Sequence, residues 1–209
     1  MKTLITIQHT QSVHHANGMI GGWTDWELTE RGTQQAKNIG EALREEIRDQ
    51  HYVMFASDLL RARQTADIIA PFLNIVPKYR KELRELHMGS ATGKSVKWLQ
   101  ENQARPESRE RVVDFRCLED AESKRDLYTR LLLFLQEMQS SDEKNIIIVS
   151  HGGTLNMLFF LWHHDNIDDL ERTAFHGMSG GVSVLKENND GLRIIQKIND
   201  MSYMSSHSR

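Results

Sequence analysis

The chain has 209 residues, of which 39% are hydrophobic and 26% charged, with only 3 prolines. That profile is an ordinary globular one, and the length is enough to bury a sizeable core near the upper end of one domain. A formal net charge of -3, with cations spread along the chain, excludes an electrostatic case for nucleic acid or an anionic membrane surface.

A single cysteine, Cys117, has no partner for an internal disulfide, so a reducing compartment is expected. The apolar run at the N-terminus is too short for a signal peptide, and Met157 to Trp162 is too short for a membrane span. Together these features predict a soluble, cytoplasmic protein.

Thr3 to Ile7 alternates apolar and polar residues of β-branched type and predicts a strand ending near Gln8 and His9. Asn17, Gly18, Gly21 and Gly22 then mark a loop. Thr29 is placed to cap a helix whose apolar positions Ala36, Ile39, Leu43 and Ile47 share one face. Tyr52 to Ala56 predicts a second strand, followed by a helix capped by Ser57, running to Ile69 and closed by Pro71. Residues 80–120 are polar and weakly periodic, which predicts a helical insertion with loops. Leu127, Leu131, Phe134, Leu135 and Met138 stand at helical spacing, and Ile146 to Val149 is the apolar run of a strand buried on both faces. An apolar helix from Leu155 to Trp162 and a hairpin, Val182 to Leu185 with Leu192 to Ile198, complete the pattern. Strands alternating with helices predict a single α/β domain over residues 1–198, a three-layer sandwich with a mainly parallel sheet, and a frayed tail at 199–209.

Three polar clusters each follow an apolar strand: Gln8-His9-Thr10, Ser57-Asp58 with Arg61, and Ser150-His151-Gly152. Open α/β sheets bind ligands outside the carboxyl ends of their strands, so two histidines and an arginine are expected to converge there. Phosphoryl transfer suits that set. A neutral imidazole attacks phosphorus in line while cations hold the equatorial oxygens, and an arginine fork matches two of them. Glu85 is a candidate acid for the leaving oxygen. His14-His15 and His163-His164-Asp165 are adjacent pairs whose side chains are expected to diverge, and no spacing fits a zinc pattern, so no metal is expected.

The chain resembles the histidine phosphatase superfamily, the phosphoglycerate mutase-like proteins. Ile7-Gln8-His9-Thr10 and Gly22 to Gly32 are similar to the family's opening, and Ser57 to Ala66 and Leu83-Arg84-Glu85 to its middle. Ala121-Glu122-Ser123 with Asp126 and Arg130 follows, and Val149 to Gly153 closes the match. The resemblance implies that His9 is the nucleophile that becomes phosphohistidine and that His151 contacts the phosphoryl group. It implies that Arg61 binds phosphate and Glu85 serves as acid and base. Gln8, Ser12, His15, Gly21, Gly22 and Gly152 fall where substrate or phosphate is bound. No cofactor is implied. The expected partner is a small phosphorylated substrate rather than nucleic acid or membrane, and homodimerisation is open to this fold class.

Where the family opens with Arg-His-Gly, this chain has Gln8-His9-Thr10. A charge-assisted hydrogen bond contributes about 1.5–3 kcal/mol against roughly 1 kcal/mol for a neutral one. If that difference arises only in the transition state, the rate falls roughly ten- to thirtyfold. His14 and His15 are the nearby groups able to restore a cation when protonated. The expected function is therefore a phosphatase, with a phospho-ligand sensor and a mutase-type phosphotransferase as alternatives. The compact segment at 80–120 favours phosphatase over mutase.

Overall fold

The computed structural model of the protein describes residues 2–105, 112–163, 166–171 and 174–205. Six strands, β1 (Lys2–Gln8), β2 (Val53–Ser57), β3 (Lys78–Arg80), β4 (Asn145–Ser150), β5 (Val182–Glu187) and β6 (Arg193–Asp200), form one sheet in the order β3-β2-β4-β1-β5-β6. β3, β2, β4 and β1 run parallel, whereas β5 is antiparallel to both β1 and β6. β4 returns to lie between β1 and β2 and is buried along nearly its whole length, as its unbroken Ile-Ile-Ile-Val requires.

The described residues form the helices α1 (Val13–Asn17), α2 (Glu30–Glu46), α3 (Leu60–Leu73), α4 (Val96–Asn102), α5 (Lys124–Ser140) and α6 (Gly152–His163). Alternation along the strands divides the core into two clusters. Ile5, Ile7, Met54, Ala56, Ile147 and Val149 meet α2 and α3 on one face, with Ile39, Leu43 and Ile69. Leu4, Phe55, Ile146 and Ile148 meet α5 and α6 on the other, with Leu131, Phe134 and Leu158. This is the expected sandwich, with helices on both faces of a mixed sheet.

Several boundaries differ from the expectation, each for a local reason. The α2 cap is as expected, Thr29 Oγ1 accepting from the Gly32 amide at 3.0 Å. Ser57 is instead the last residue of β2; its hydroxyl accepts from the Leu59 amide, and α3 starts at Leu60. Pro71 lies inside the last turn of α3, where its missing N–H costs one bond, and the helix ends at Asn74 in the left-handed conformation (φ 53). α6 starts at Gly152 rather than Leu155, since the Leu155 amide already bonds the His151 carbonyl at 2.8 Å.

The short strand β3 and helix α1 were not expected. Within the expected insertion at 80–120, residues 80–105 hold two single 3₁₀ turns and α4 joined by loops, and 106–111 lie outside the described residues. Residues 199–205 are also more ordered than a frayed tail would be, while 206–209 lie outside the described residues. β6 continues to Asp200, Tyr203 is buried with its hydroxyl donating to Glu46, and Asn38 donates to the Met204 carbonyl at 2.7 Å. Among the described residues, no helix is long and apolar enough to cross a membrane.

Candidate active site

Register delivers the site. Gln8 of β1 pairs with Ser150 of β4, and Ala56 of β2 pairs with Val149. His9 and His151 are therefore one step beyond adjacent strand ends, with Ser57 beside them. The His9 and His151 ring centroids lie 5.1 Å apart, and both residues are buried.

His9 Nδ1 is 2.9 Å from the Thr10 carbonyl oxygen. A carbonyl only accepts, so Nδ1 carries the proton and the Nε2 lone pair faces the site. Arg61 Nε donates to that Nε2 at 3.2 Å, while its two terminal nitrogens donate to the carbonyls of Thr24 and Gly22 at 2.9 Å each. Those carbonyls are turned inward by the loop before α2, where Gly22 adopts a positive φ of 44°. The guanidinium is thus fixed beside His9 by the chain that wraps it. His151 Nε2 is 2.8 Å from Ser57 Oγ, and its Nδ1 is buried with no hydrogen-bond partner.

Glu85 reaches the site from the loop after β3. Its carboxylate accepts from the Leu86 amide at 2.8 Å and from the Gly153 amide at 3.1 Å. The loop is strapped down by Arg130, which donates to the carbonyls of Glu82, Arg84 and Glu85 and pairs with Glu122 at 3.0 Å. Trp23 Nε1 holds the Glu85 carbonyl at 2.6 Å, and Ser150 Oγ and Thr154 Oγ1 hold Leu83 and Arg84. The sequence motif around Glu122 and Arg130 is thereby explained: it places Glu85 through its backbone.

Burial, reinforced by the Arg61 charge, holds His9 and His151 well below the usual imidazole range. His14 is lowered to about 3 by burial, then by His15 and Arg61, and His15 is lowered by burial and Arg61. All four rings are neutral at neutral pH, so His14 and His15 supply no standing cation in place of an arginine at Gln8. Arg61 is itself lowered by burial to about 10, against the attraction of Glu85 and Asp25, and stays charged.

The remaining expected positions surround this centre. Ser12 is buried, with Oγ 2.7 Å from His14 Nδ1 and its amide donating to His15 Nδ1 at 3.3 Å. His15 stacks on His9 at 5.3 Å. Gly21 makes room for the His14 ring, which a Cβ there would approach to 2.9 Å, and Gly152 backs onto the Gln8 carboxamide. His14 and His15 do not diverge as adjacent residues were expected to; their centroids are 4.0 Å apart because Ser12 binds both rings. His164 and Asp165 of the second pair lie outside the described residues.

The loop at 177–181 was not expected at the site. Ser179 Oγ donates to the His9 carbonyl at 2.9 Å, and the Gly180 amide bonds the carbonyls of Gln8 and His9. Its paired glycines were the only available hint.

The profile of the histidine phosphatase superfamily (branch 1) matches residues 4–200. The chain belongs to that superfamily. Among relatives of this superfamily member, a phosphoglycerate mutase-like protein 4 of Arabidopsis thaliana is 30% identical over 162 residues, covering 75% of this chain and 69% of its own. A putative phosphoserine phosphatase 2 of Hydrogenobacter thermophilus is 28% identical over 173 residues, covering 77% and 78%. In fold, this histidine phosphatase superfamily chain resembles a mycobacterial glucosyl-3-phosphoglycerate phosphatase complexed with VO3, with a TM-score of 0.79 at 21% identity over 95% of this chain and 99% of that one. The superfamily thus contributes both phosphatase and mutase relatives.

Proposed function

We propose that the protein is a metal-independent phosphatase that hydrolyses a small phosphorylated metabolite through a phosphohistidine on His9. The observation that carries this reading is the His9 Nε2 lone pair, fixed by the Thr10 carbonyl at Nδ1 and set beside the buried Arg61 guanidinium. In the first half-reaction Nε2 attacks phosphorus, the P–O bond to the alcohol breaks, and protonated Glu85 gives its proton to the leaving oxygen. Arg61 and His151 hold the equatorial oxygens as charge redistributes. In the second half-reaction water attacks phosphorus, Glu85 takes a proton from it, the P–N bond breaks and inorganic phosphate leaves. The named phosphatase relatives support hydrolysis.

The test is hydrolysis of an aryl phosphate with chelator present, combined with an alkaline quench. Phosphohistidine is a phosphoramidate, stable in alkali and lost in acid. Steady turnover unaffected by chelator, with a trapped alkali-stable phosphoprotein, is the expected result. Turnover that disappears with chelator contradicts the reading.

The placement of Glu85 gives a second expectation. A Cβ at Gly153 would lie 2.5 Å from Glu85 Oε1, so Gly153→Ala displaces the carboxylate. Because Gly153 is in the first turn of α6, alanine there favours the helix by up to about 1 kcal/mol. The variant is expected to keep its melting temperature while kcat falls about 100-fold or more, the scale of a general acid. An unchanged kcat would show that Glu85 does not act from this position.

A further inference from the structure

His14 has no task in the proposed phosphoryl transfer, yet its ring is turned toward the nucleophile with that of His15. One ring nitrogen from each of His9, His14 and His15 lies within 4.8 Å of the others. The ring centroids of His14 and His15 are 5.8 and 5.3 Å from that of His9. This is a three-imidazole cluster without a carboxylate or thiolate in it. Neutral imidazoles suit zinc and copper, whereas magnesium and calcium demand oxygen.

We propose that His9, His14 and His15 form a binding site for Zn²⁺ or a similar borderline divalent metal, and that the bound metal inhibits the protein by occupying the nucleophile. The metal site stands on the geometry; its inhibitory consequence rests on the phosphohistidine reading. Zinc bonded to imidazole at about 2.0–2.1 Å in tetrahedral geometry brings its ligand nitrogens to roughly 3.4 Å from one another. The cluster closes that gap by rotation of His14 and His15, which stand on the five-residue helix α1 at the outer rim of the site. Three protein ligands leave the fourth position to water.

Arg61 opposes the metal by charge and by its contact with His9 Nε2. A metal on Nε2 must displace the Arg61 Nε–H, so the guanidinium has to swing away from His9 and loosen its bonds to the Gly22 and Thr24 carbonyls, a cost that the imidazole–metal bonds must exceed. Metal and phosphoryl group then compete for one lone pair, since a coordinated Nε2 cannot attack phosphorus.

The test uses the full chain stripped with chelator and titrated with Zn²⁺ against a chromogenic zinc chelator, with aryl phosphate hydrolysis followed in parallel. One zinc per chain is expected in the native protein and in Cys117→Ser, which removes the one thiol. His14→Ala and His15→Ala should each weaken zinc binding at least about tenfold. Zinc should stop hydrolysis at the same concentration at which it binds, and excess chelator should restore it. Equal zinc affinity in the native protein, His14→Ala and His15→Ala overturns the site. Native affinity in His9→Ala overturns the blocking of the nucleophile. Histidine-dependent zinc binding by a chain with no hydrolysis supports the metal site and overturns the phosphatase reading, so the two failures are distinguishable.

Discussion

Replacing His9 with alanine is expected to reduce aryl phosphate hydrolysis about 10⁴-fold or more, to background, and to abolish the alkali-stable phosphoprotein. Removing a covalent nucleophile leaves the groups around it with nothing to receive the phosphoryl group, so the loss approaches that of the whole catalytic unit. The neighbours do not offer a substitute. His151 Nε2 is engaged with Ser57 Oγ at 2.8 Å, and its ring is assigned to the equatorial oxygens. His15 is held by the Ser12 amide on the rim.

The substitution also leaves the Thr10 carbonyl and Arg61 Nε without their His9 partners, so a melting curve must accompany the kinetics. His9→Gln keeps more of the volume and serves as the second variant. A phosphoprotein still trapped in folded His9→Ala would place the covalent step elsewhere and sink the proposed mechanism.

What the sequence revealed and what it hid follow from the range of the interactions involved. β1 was legible from its alternating β-branched residues and β4 because burial on both faces leaves an unbroken apolar run, and the strand-end clusters pointed to the site because open parallel sheets present their carboxyl ends together. Thr29 was legible as a cap because capping is local. β3 was not, since its three residues Lys78, Tyr79 and Arg80 carry no alternation and exist as a strand only by pairing with β2. The convergence of His14 and His15 was hidden as well. It depends on Ser12 binding both rings, which periodicity along an extended strand or a long helix does not express.

The burial of Tyr203 was equally invisible, because its partner Glu46 stands 157 positions earlier in the chain. For the same reason Glu122 and Arg130 could be matched to a motif without their task being apparent. Arg130 acts on the backbone at 82–85 across more than forty residues of chain, and Glu122 pairs with Arg130 and accepts from the His87 amide.

Arg61→Ala is expected to lower kcat/KM by about 10³-fold, at the upper end of what one transition-state donor contributes. Gln8 is neutral, and His9, His14, His15 and His151 are held neutral, so among the described side chains around His9 the Arg61 guanidinium is the standing cation. Arg61→Lys should recover only part of the loss, because an ammonium retains charge but not the fork that also anchors Gly22 and Thr24.

Gln8→Arg tests the same electrostatics from the other side. The Gln8 carboxamide is buried and lies against the backbone at Gly177 and Gly152, where an added Cβ would come within 2.8 and 3.3 Å of it. Gln8→Arg alone should raise kcat/KM roughly ten- to thirtyfold, the reverse of the loss expected from a neutral donor. In that background Arg61→Ala should cost at least about tenfold less than in the native protein, because two groups that contact one phosphoryl group are coupled. Strict additivity would mean that the new guanidinium and Arg61 do not act on the same phosphoryl group, whereas an unchanged kcat/KM in folded Gln8→Arg would mean that the absence of a cation at position 8 has no bearing on the rate.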